Sequence, residues 1–198
     1  MLKILISNDD IYFAKGLKSL ILDVNNGMAK ERIDFVISQN YTASNEAHII
    51  FRGCLASVRL KKKERTWPSD IYANRNMILH IPFSCHDDNL QEIMGKIKKL
   101  LLIANMDYSG ITTREKYKSI GLKDFMQLST TESKVMQLIG EGHNTEFISK
   151  MLNRSEKTIN THCRNASRKL GMVNRVEFYR CASFIANSGS KDWSIICL

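Results

Sequence analysis

The sequence predicts two structural units, an α/β unit followed by an all-α unit of four helices. In residues 1–102, short apolar runs alternate with amphipathic helical patterns, whereas from residue 128 onward only helical periods occur. The chain has 198 residues, a length that fits one large domain or two small ones, and its hydrophobic content of 43% is enough for a real core. We therefore expect an α/β unit at 1–102, a linker at 103–127 and a helical unit at 128–198.

Charge and cysteine usage restrict the class of protein. Lys and Arg number 29 against 20 Asp and Glu, and the resulting net charge of +9 favours a polyanionic partner such as nucleic acid or an anionic membrane. No apolar run approaches the roughly 18 residues that a membrane span requires. The five cysteines include no CxxC pair, so we expect free thiols of a cytoplasmic protein and neither a disulfide framework nor a zinc site.

The N-terminal unit is predicted from four apolar runs typical of strands and from two helical stripes. The alternation of these elements implies a parallel sheet with helices on its faces. The stretch from Gly53 to Asn76 fits this alternation poorly and receives no element. The predicted strands are Leu2–Ile6, Ile33–Ser38, His48–Phe51 and Met77–Ile81, and the stripes are Phe13, Leu17, Leu20 and Ile21, then Leu90, Ile93, Met94, Ile97, Leu100 and Leu101 after Asp87-Asp88-Asn89.

The C-terminal unit is predicted from its helix caps. Ser129 and Glu132 form a capping box, in which the serine hydroxyl accepts an early backbone N–H and the glutamate reaches back. Asn144, Ser155 and Asn174 stand at three further N-cap positions, each followed by apolar residues at helical spacing. Four short helices are therefore expected. The glycines that end the first and third of them are Gly142 and Gly171.

The third of these helices has two faces. Ile159, Cys163, Ala166 and Leu170 recur at helical spacing and are expected to be buried. A second row is polar and basic, which favours a helix-turn-helix whose second helix enters the DNA major groove, about 12 Å wide. The alternative is the solvated face of an ordinary helical bundle. The second row consists of Lys157, Thr161, Arg164 and Arg168, with Asn160 beside it.

Each polar residue of this region has an expected contact. The small groups of Asn160 and Thr161 can approach base edges, and Arg164 can donate two hydrogen bonds to guanine. The remaining cations are expected to neutralise phosphates, with the helix N-terminus offering backbone N–H groups to another phosphate. These cations are Lys157, Arg168, Lys169 and Arg175.

The same residues carry a family resemblance. Leu128-Ser129-Thr130-Thr131-Glu132, Gly142, Phe147-Ile148, Thr158-Ile159-Asn160-Thr161-His162 and Lys169-Leu170-Gly171 resemble the helix-turn-helix of LuxR/FixJ-type transcription regulators over about residues 128–182. The resemblance implies base contacts at Asn160, Thr161 and Arg164. It implies backbone contacts or support of the motif at Thr158, His162 and Lys169. The family prefers Arg where Thr131 stands and Lys where Asn160 stands, and the second departure is expected to change base preference more than it abolishes binding.

The N-terminal unit resembles a degenerate response-regulator receiver. A receiver needs acidic residues after its first strand to hold Mg²⁺ and an Asp after its third strand to accept phosphate. Here Asn8 and Asp9 are only a partial acidic pair, and Arg52 or Gly53 occupies the acceptor place. No phosphoacceptor, metal site, catalytic residue or cofactor is therefore expected. Residues 10–17, 34–36 and 161–166 are similar to enterobacterial regulators of adhesive pili and capsule within this family.

The expected function is sequence-specific, phosphorylation-independent transcription regulation by a dimer on promoter DNA. The expected partners are double-stranded DNA, a second copy or a related regulator, and RNA polymerase. One alternative is a co-regulator that works mainly by heterodimerising. Another is a metal-dependent phosphatase, because Ile4–Asp10 resembles the start of stationary-phase survival nucleotidases, although Ile11 stands where they have Gly. The basic run at 59–65 is interpreted as a solvated loop, with auxiliary DNA contact as its alternative.

Overall fold

The computed structural model describes residues 1–29, 31–38, 46–60, 77–83, 88–105, 127–187, 193–195 and 197. Within them, six strands form one sheet, two helices belong to the N-terminal unit and four helices form the C-terminal unit, which confirms the predicted class. The strands are β1 (Leu2–Ser7), β2 (Phe35–Ser38), β3 (Ile49–Arg52), β4 (Leu55–Leu60), β5 (Met77–Pro82) and β6 (Trp193–Ile195). The helices are α1 (Ile11–Gly27), α2 (Leu90–Asn105), α3 (Thr130–Gly140), α4 (Thr145–Leu152), α5 (Glu156–Lys169) and α6 (Arg175–Ala186).

The prediction of a parallel sheet is wrong at one strand. The order is β2-β1-β3-β4-β5-β6, and β4 runs antiparallel to both of its neighbours. The reversal begins at Gly53, whose φ of +55° opens a tight turn in which Arg52 pairs with Leu55. Gly suits the first central position of such a turn because it adopts positive φ without a steric penalty. Strand β4 lies in the stretch from Gly53 to Asn76, for which the sequence predicted neither a helix nor a strand.

One face of the sheet is covered by both helices of the N-terminal unit. Alternate residues of β1, such as Ile4 and Ile6, join a buried cluster with the apolar stripes of α1 and α2. Asp10 caps α1, because its Oδ1 accepts the backbone N–H groups of Tyr12 and Phe13 at 2.9 and 3.0 Å. Both α1 and α2 therefore lie on one face of the sheet.

The other face of the sheet packs against the C-terminal helices. Leu55 at the start of β4 belongs to the core cluster of the helical unit, and Ile195 of β6 packs against it. His80 on β5 is buried, with its ring edge-on to Phe184 of α6 at 6.2 Å between centroids and its Nδ1 3.0 Å from Ser57 Oγ. Burial lowers the pKa of His80 to about 4, so this contact holds a neutral imidazole at neutral pH.

The helical unit has the predicted caps. The side chains of Ser129, Asn144, Ser155 and Asn174 each accept an N–H from the first turn that follows, which confirms all four N-caps. The turn before α5 contains Asn153 in the left-handed region, with a φ of 49°. None of the helices in the described parts of the chain is both long and apolar enough to cross a membrane.

Two regions of the sequence interpretation lie outside the described residues. They are Lys61–Arg65 of the basic run and residues 106–126 of the predicted linker.

Helices α3 and α6 approach each other closely at a glycine. A Cβ on Gly140 would lie 2.2 Å from the carbonyl oxygen of Ala182 and 2.9 Å from the Cβ of Ala186. We expect Gly140→Ala to lower the free energy of unfolding by about 1–3 kcal/mol, because the backbone of α6 must move. Urea unfolding followed by circular dichroism measures the change.

A matched control for this change is Gly16→Ala. Gly16 lies inside α1, is exposed, and a Cβ there would meet nothing within 4 Å. Because Ala is the better helix former, this variant should gain about 0.5–1 kcal/mol. Equal stabilities of the two variants would contradict the α3–α6 packing described here.

Candidate nucleic-acid interface

Helix α5 is anchored to the helical unit by one face. Ile159 and Ala166 are fully buried, Leu170 is buried just beyond the helix, and Cys163 packs against the same core while remaining partly exposed. The inward row predicted from the sequence is therefore confirmed. Since these residues lie at intervals of three and four, the opposite side of the helix necessarily faces away from the core.

The outward face of α5 is basic. Lys157, Thr161, Arg164 and Arg168 are all exposed. The hydroxyl of Thr161 donates to the carbonyl of Lys157 at 2.9 Å. Within the described residues, the three charged side chains of this row form no ion pair, so their charges remain available to an outside anion.

The N-terminus of α5 is held by hydroxyl groups. Ser155 Oγ accepts the backbone N–H of Thr158 at 3.1 Å and lies 2.9 Å from the Thr158 hydroxyl. Thr158 is half-buried, which favours a supporting role for it, whereas Asn160 is half-buried on the flank of the outward face. Arg154 stands exposed beside this cap and is a cation that the sequence analysis did not single out. Its place directly before the N-cap Ser155 could have been read from the sequence.

Two further predicted residues flank the outward face. His162 is half-buried on α5. Arg175 begins α6, where its guanidinium donates to the Tyr179 hydroxyl at 3.1 Å and lies over the Tyr179 ring at 5.4 Å from the centroid. Arg175 is exposed, but this intramolecular contact already orders its side chain.

Lys169 points into the protein. Its ammonium donates to Glu132 Oε2 at 2.7 Å and to the carbonyl of Gln127 at 3.0 Å, and only 22% of the side chain is exposed. Burial by itself would raise the pKa of Glu132, but hydrogen bonds from Lys169 and Ser129 and the charge of Lys169 outweigh it and hold that pKa below its usual range. The geometry therefore favours motif support over phosphate contact at Lys169.

Residues 126–182 match the family model GerE, described as bacterial regulatory proteins, luxR family. This segment is a GerE domain. It covers α3 to α5 and the first part of α6, and so includes the helix with the basic outward face. No curated protein matches the chain.

Solved structures with some likeness to the chain are those of a response regulator. RcsB from Salmonella enterica serovar Typhimurium, bound to the promoter rprA in the presence of the phosphomimetic BeF3-, is 18% identical, with 93% of this chain and 100% of that chain covered and a TM-score of 0.33. A second structure, of the Salmonella typhimurium RcsB response regulator, concerns conformational dynamism for DNA interaction. It is 18% identical, with 92% of this chain and 100% of that chain covered and a TM-score of 0.32. TM-scores of this size do not establish a common arrangement of the two units.

The pairing of Lys169 with Glu132 yields a stability prediction. Lys169→Met leaves the buried carboxylate without its cation, so we expect the free energy of unfolding at pH 7 to fall by about 1–3 kcal/mol. The pKa of Glu132 is lowered in the folded state, so the contribution of the pair is present above the unfolded pKa and is lost as the pH falls through the folded pKa. The stability difference between variant and wild type should therefore shrink on acidification.

The exposed pair Lys150–Glu146 provides a matched control, with side-chain exposures of 73% and 60%. Lys150→Met should cost about 0.5 kcal/mol or less, because an exposed i,i+4 pair is weak. Chemical unfolding of both variants at several pH values tests the contrast, and equal losses in the two variants would refute the structural role of Lys169.

Proposed function

We propose that the protein regulates transcription in the cytoplasm by binding promoter DNA sequence-specifically through α5. The observation that carries this proposal is the exposed basic row on the outward face of a GerE-domain helix, a row that forms no ion pair with any described residue. An α-helix fits the major groove, and a row of exposed cations attracts phosphates over the length of the helix. A solvated face of an ordinary bundle would more often mix charges of both signs.

The side chains of α5 and its flanks fall into two groups, those that contact bases and those that contact phosphates. Thr161 and Arg164 lie at the centre of the outward face, where base edges are reached, and Asn160 borders them. Arg164 supplies the planar donor pair that fits the N7 and O6 of guanine. Lys157 and Arg168 lie one turn to either side, where phosphates run along the groove walls. His162 and Arg175 are assigned to the sugar–phosphate backbone, together with Arg154.

We assign the protein a dimeric state on DNA. One GerE domain presents a single α5 of 14 residues to the groove. A single helix reads few base pairs, so specific affinity requires two half-sites about one helical turn apart. The partner that this arrangement needs is a second copy of the chain or a related regulator with the same domain.

The proposal predicts different effects for two residues of α5. Arg164→Ala should weaken binding to the preferred site by about 1–3 kcal/mol and relax the preference at one base position, because a bidentate guanine contact is lost. Lys157→Ala should weaken all sequences alike and lower the slope of log affinity against log salt by about 0.9. Selection from random DNA followed by titrations at several salt concentrations measures both effects.

Arg164→Lys separates the two roles further. This variant keeps the charge and loses the planar fork, so it should retain the salt slope of the wild type while losing base preference. If Arg164→Ala and Lys157→Ala lose affinity in the same sequence-independent way, Arg164 does not read bases.

We further propose that activity does not depend on aspartyl phosphate. Arg52 ends β3, and its Nε donates to Ser7 Oγ, at the end of β1, at 3.3 Å. A guanidinium has no lone pair with which to accept a phosphoryl group. The nearby acidic side chain of Asp10 is engaged in capping α1, and Asn8 Oδ1 accepts the backbone N–H of Asp10 at 2.9 Å.

Incubation with acetyl phosphate and Mg²⁺ tests this proposal. We expect the intact mass of the purified chain to remain unchanged and its DNA affinity to stay the same. A receiver that possesses an acceptor aspartate, treated in the same tube, serves as the positive control. A gain of one phosphate on an aspartate within residues 1–102, accompanied by altered DNA binding, would overturn the proposal without affecting the assignment of α5.

A further inference from the structure

Three cysteines from distant parts of the chain meet where the sheet contacts the helical unit. Cys54 is in the turn between β3 and β4, Cys181 lies on α6, and Cys197 follows β6. Cys181 and Cys197 are buried members of the helical core, and the half-buried Cys54 packs against it. Across the described parts of the chain, no three His, Cys, Asp or Glu side chains are disposed to hold a metal ion, so the chemistry of this cluster is that of thiols.

Two of these cysteines share a solvent-connected cleft. A cavity of about 1070 Å³ lies between the carboxyl edge of the sheet and α6, and both Cys54 and Cys181 line it. Arg52 and Arg180 line the same cavity, together with Glu177. The pKa of each of these two thiols is shifted chiefly by the other, which makes Cys54 and Cys181 neighbours at this interface. Cys54 is half-buried and Cys181 is buried, so a small polar molecule that enters the cleft meets Cys54 first.

The two thiols differ in accessibility. Cys54 is half-buried, whereas Cys181 is buried in the helical core. The neighbouring Cys181 thiol, opposed by burial and by the charge of Glu177, holds the pKa of Cys54 below its usual range, and Cys54 and burial raise the pKa of Cys181. Because the thiolate is the reactive form of cysteine and Cys54 is the more accessible thiol, Cys54 is the nucleophile of the pair.

We infer that Cys54 and Cys181 form a redox-modification site, in which a hydroperoxide converts these two thiols, which line one cleft between the sheet and α6, into an intramolecular disulfide. The Cys54 thiolate attacks one peroxide oxygen, the O–O bond breaks, and the departing hydroxide takes up a proton to become water. Cys181 then attacks the sulfur of the resulting sulfenic acid. The S–S bond forms, and the hydroxyl leaves with the Cys181 proton as a second water. Two electrons pass from the two sulfurs to the peroxide.

The disulfide would connect the two units covalently. Cys54 belongs to the sheet and Cys181 to the GerE domain, so the bond fixes α6 against the β3–β4 turn. Joining residues this far apart in sequence removes many conformations from the unfolded chain. The oxidised protein should therefore unfold at a higher temperature than the reduced protein. This inference does not rest on the proposed DNA binding.

Peptide mapping tests the inference on the full-length chain. The reduced protein is treated with hydrogen peroxide, quenched with catalase, blocked with N-ethylmaleimide and digested with trypsin without reduction. Each cysteine falls in its own tryptic peptide, namely 53–59, 76–96, 158–164, 181–191 and 192–198. We expect peptides 53–59 and 181–191 to be recovered joined, the joined species to disappear after dithiothreitol, and the melting temperature to rise with the joined fraction.

Three variants make the result decisive. Cys163→Ala removes a thiol outside the pair and should leave the joined peptide and the melting shift unchanged. Cys54→Ala should abolish both. Cys181→Ala should leave Cys54 as a sulfenic acid that dimedone labels. Dimedone labelling does not depend on the melting temperature of this variant, provided that the variant folds.

Several results would overturn the inference. One is recovery of peptide 53–59 in unjoined form after peroxide treatment, and another is its linkage to a cysteine peptide other than 181–191. The remaining two are a disulfide between two chains and a joined species that forms with no rise in melting temperature.

Discussion

One buried carboxylate ties the helical unit together. Glu132 Oε2 accepts the backbone N–H of Ser129 at 2.7 Å and the ammonium of Lys169 at 2.7 Å, and only 6% of its side chain is exposed. The first bond begins α3 and the second fixes the end of α5, so the direction in which α5 presents its outward face depends on this anion. Lys169 also donates to the carbonyl of Gln127, whose side-chain amide holds both backbone groups of Cys197 at 2.8 and 2.9 Å. The same network therefore connects α5 to the chain that leaves the sheet at β6.

The sheet imposes a second constraint, because β4 has buried residues on both of its faces. Ala56 and Val58 turn toward α1 and α2, whereas Leu55 belongs to the core of the helical unit. A sheet of mostly parallel strands needs both faces covered, and in the described residues the second cover is the GerE domain itself. The parallel pairing of β6 with β5 extends this dependence, since a strand from beyond α6 completes the sheet. The two units thus share a buried interface.

The features that the sequence predicted are the local ones. The four N-caps and the two faces of α5 depend on residues within four positions of each other, so periodicity and side-chain chemistry reveal them. The features that escaped prediction depend on distant residues. Nearly every side chain of Leu55–Leu60 is buried, so this segment lacks the alternation that marks a half-exposed strand. Strand β6 pairs with β5, which lies more than a hundred residues earlier in the chain. For the same reason, the charge of Lys169 was visible in the sequence, but its partner Glu132, from a different helix, was not.

The position of Arg52 links these two constraints. Its guanidinium lies over the ring of Phe184 in α6 at 5.0 Å from the centroid, while its Nε reaches Ser7 at the end of β1. The carboxyl end of β3 therefore contacts the helical unit through the Arg52 side chain, which also bridges to the end of β1. Because α6 packs closely on α3, and α3 shares Glu132 with the end of α5, the sheet edge is mechanically continuous with the outward face of α5. On the proposal that this face reads DNA, the sheet supports the DNA-reading helix through α6 and α3.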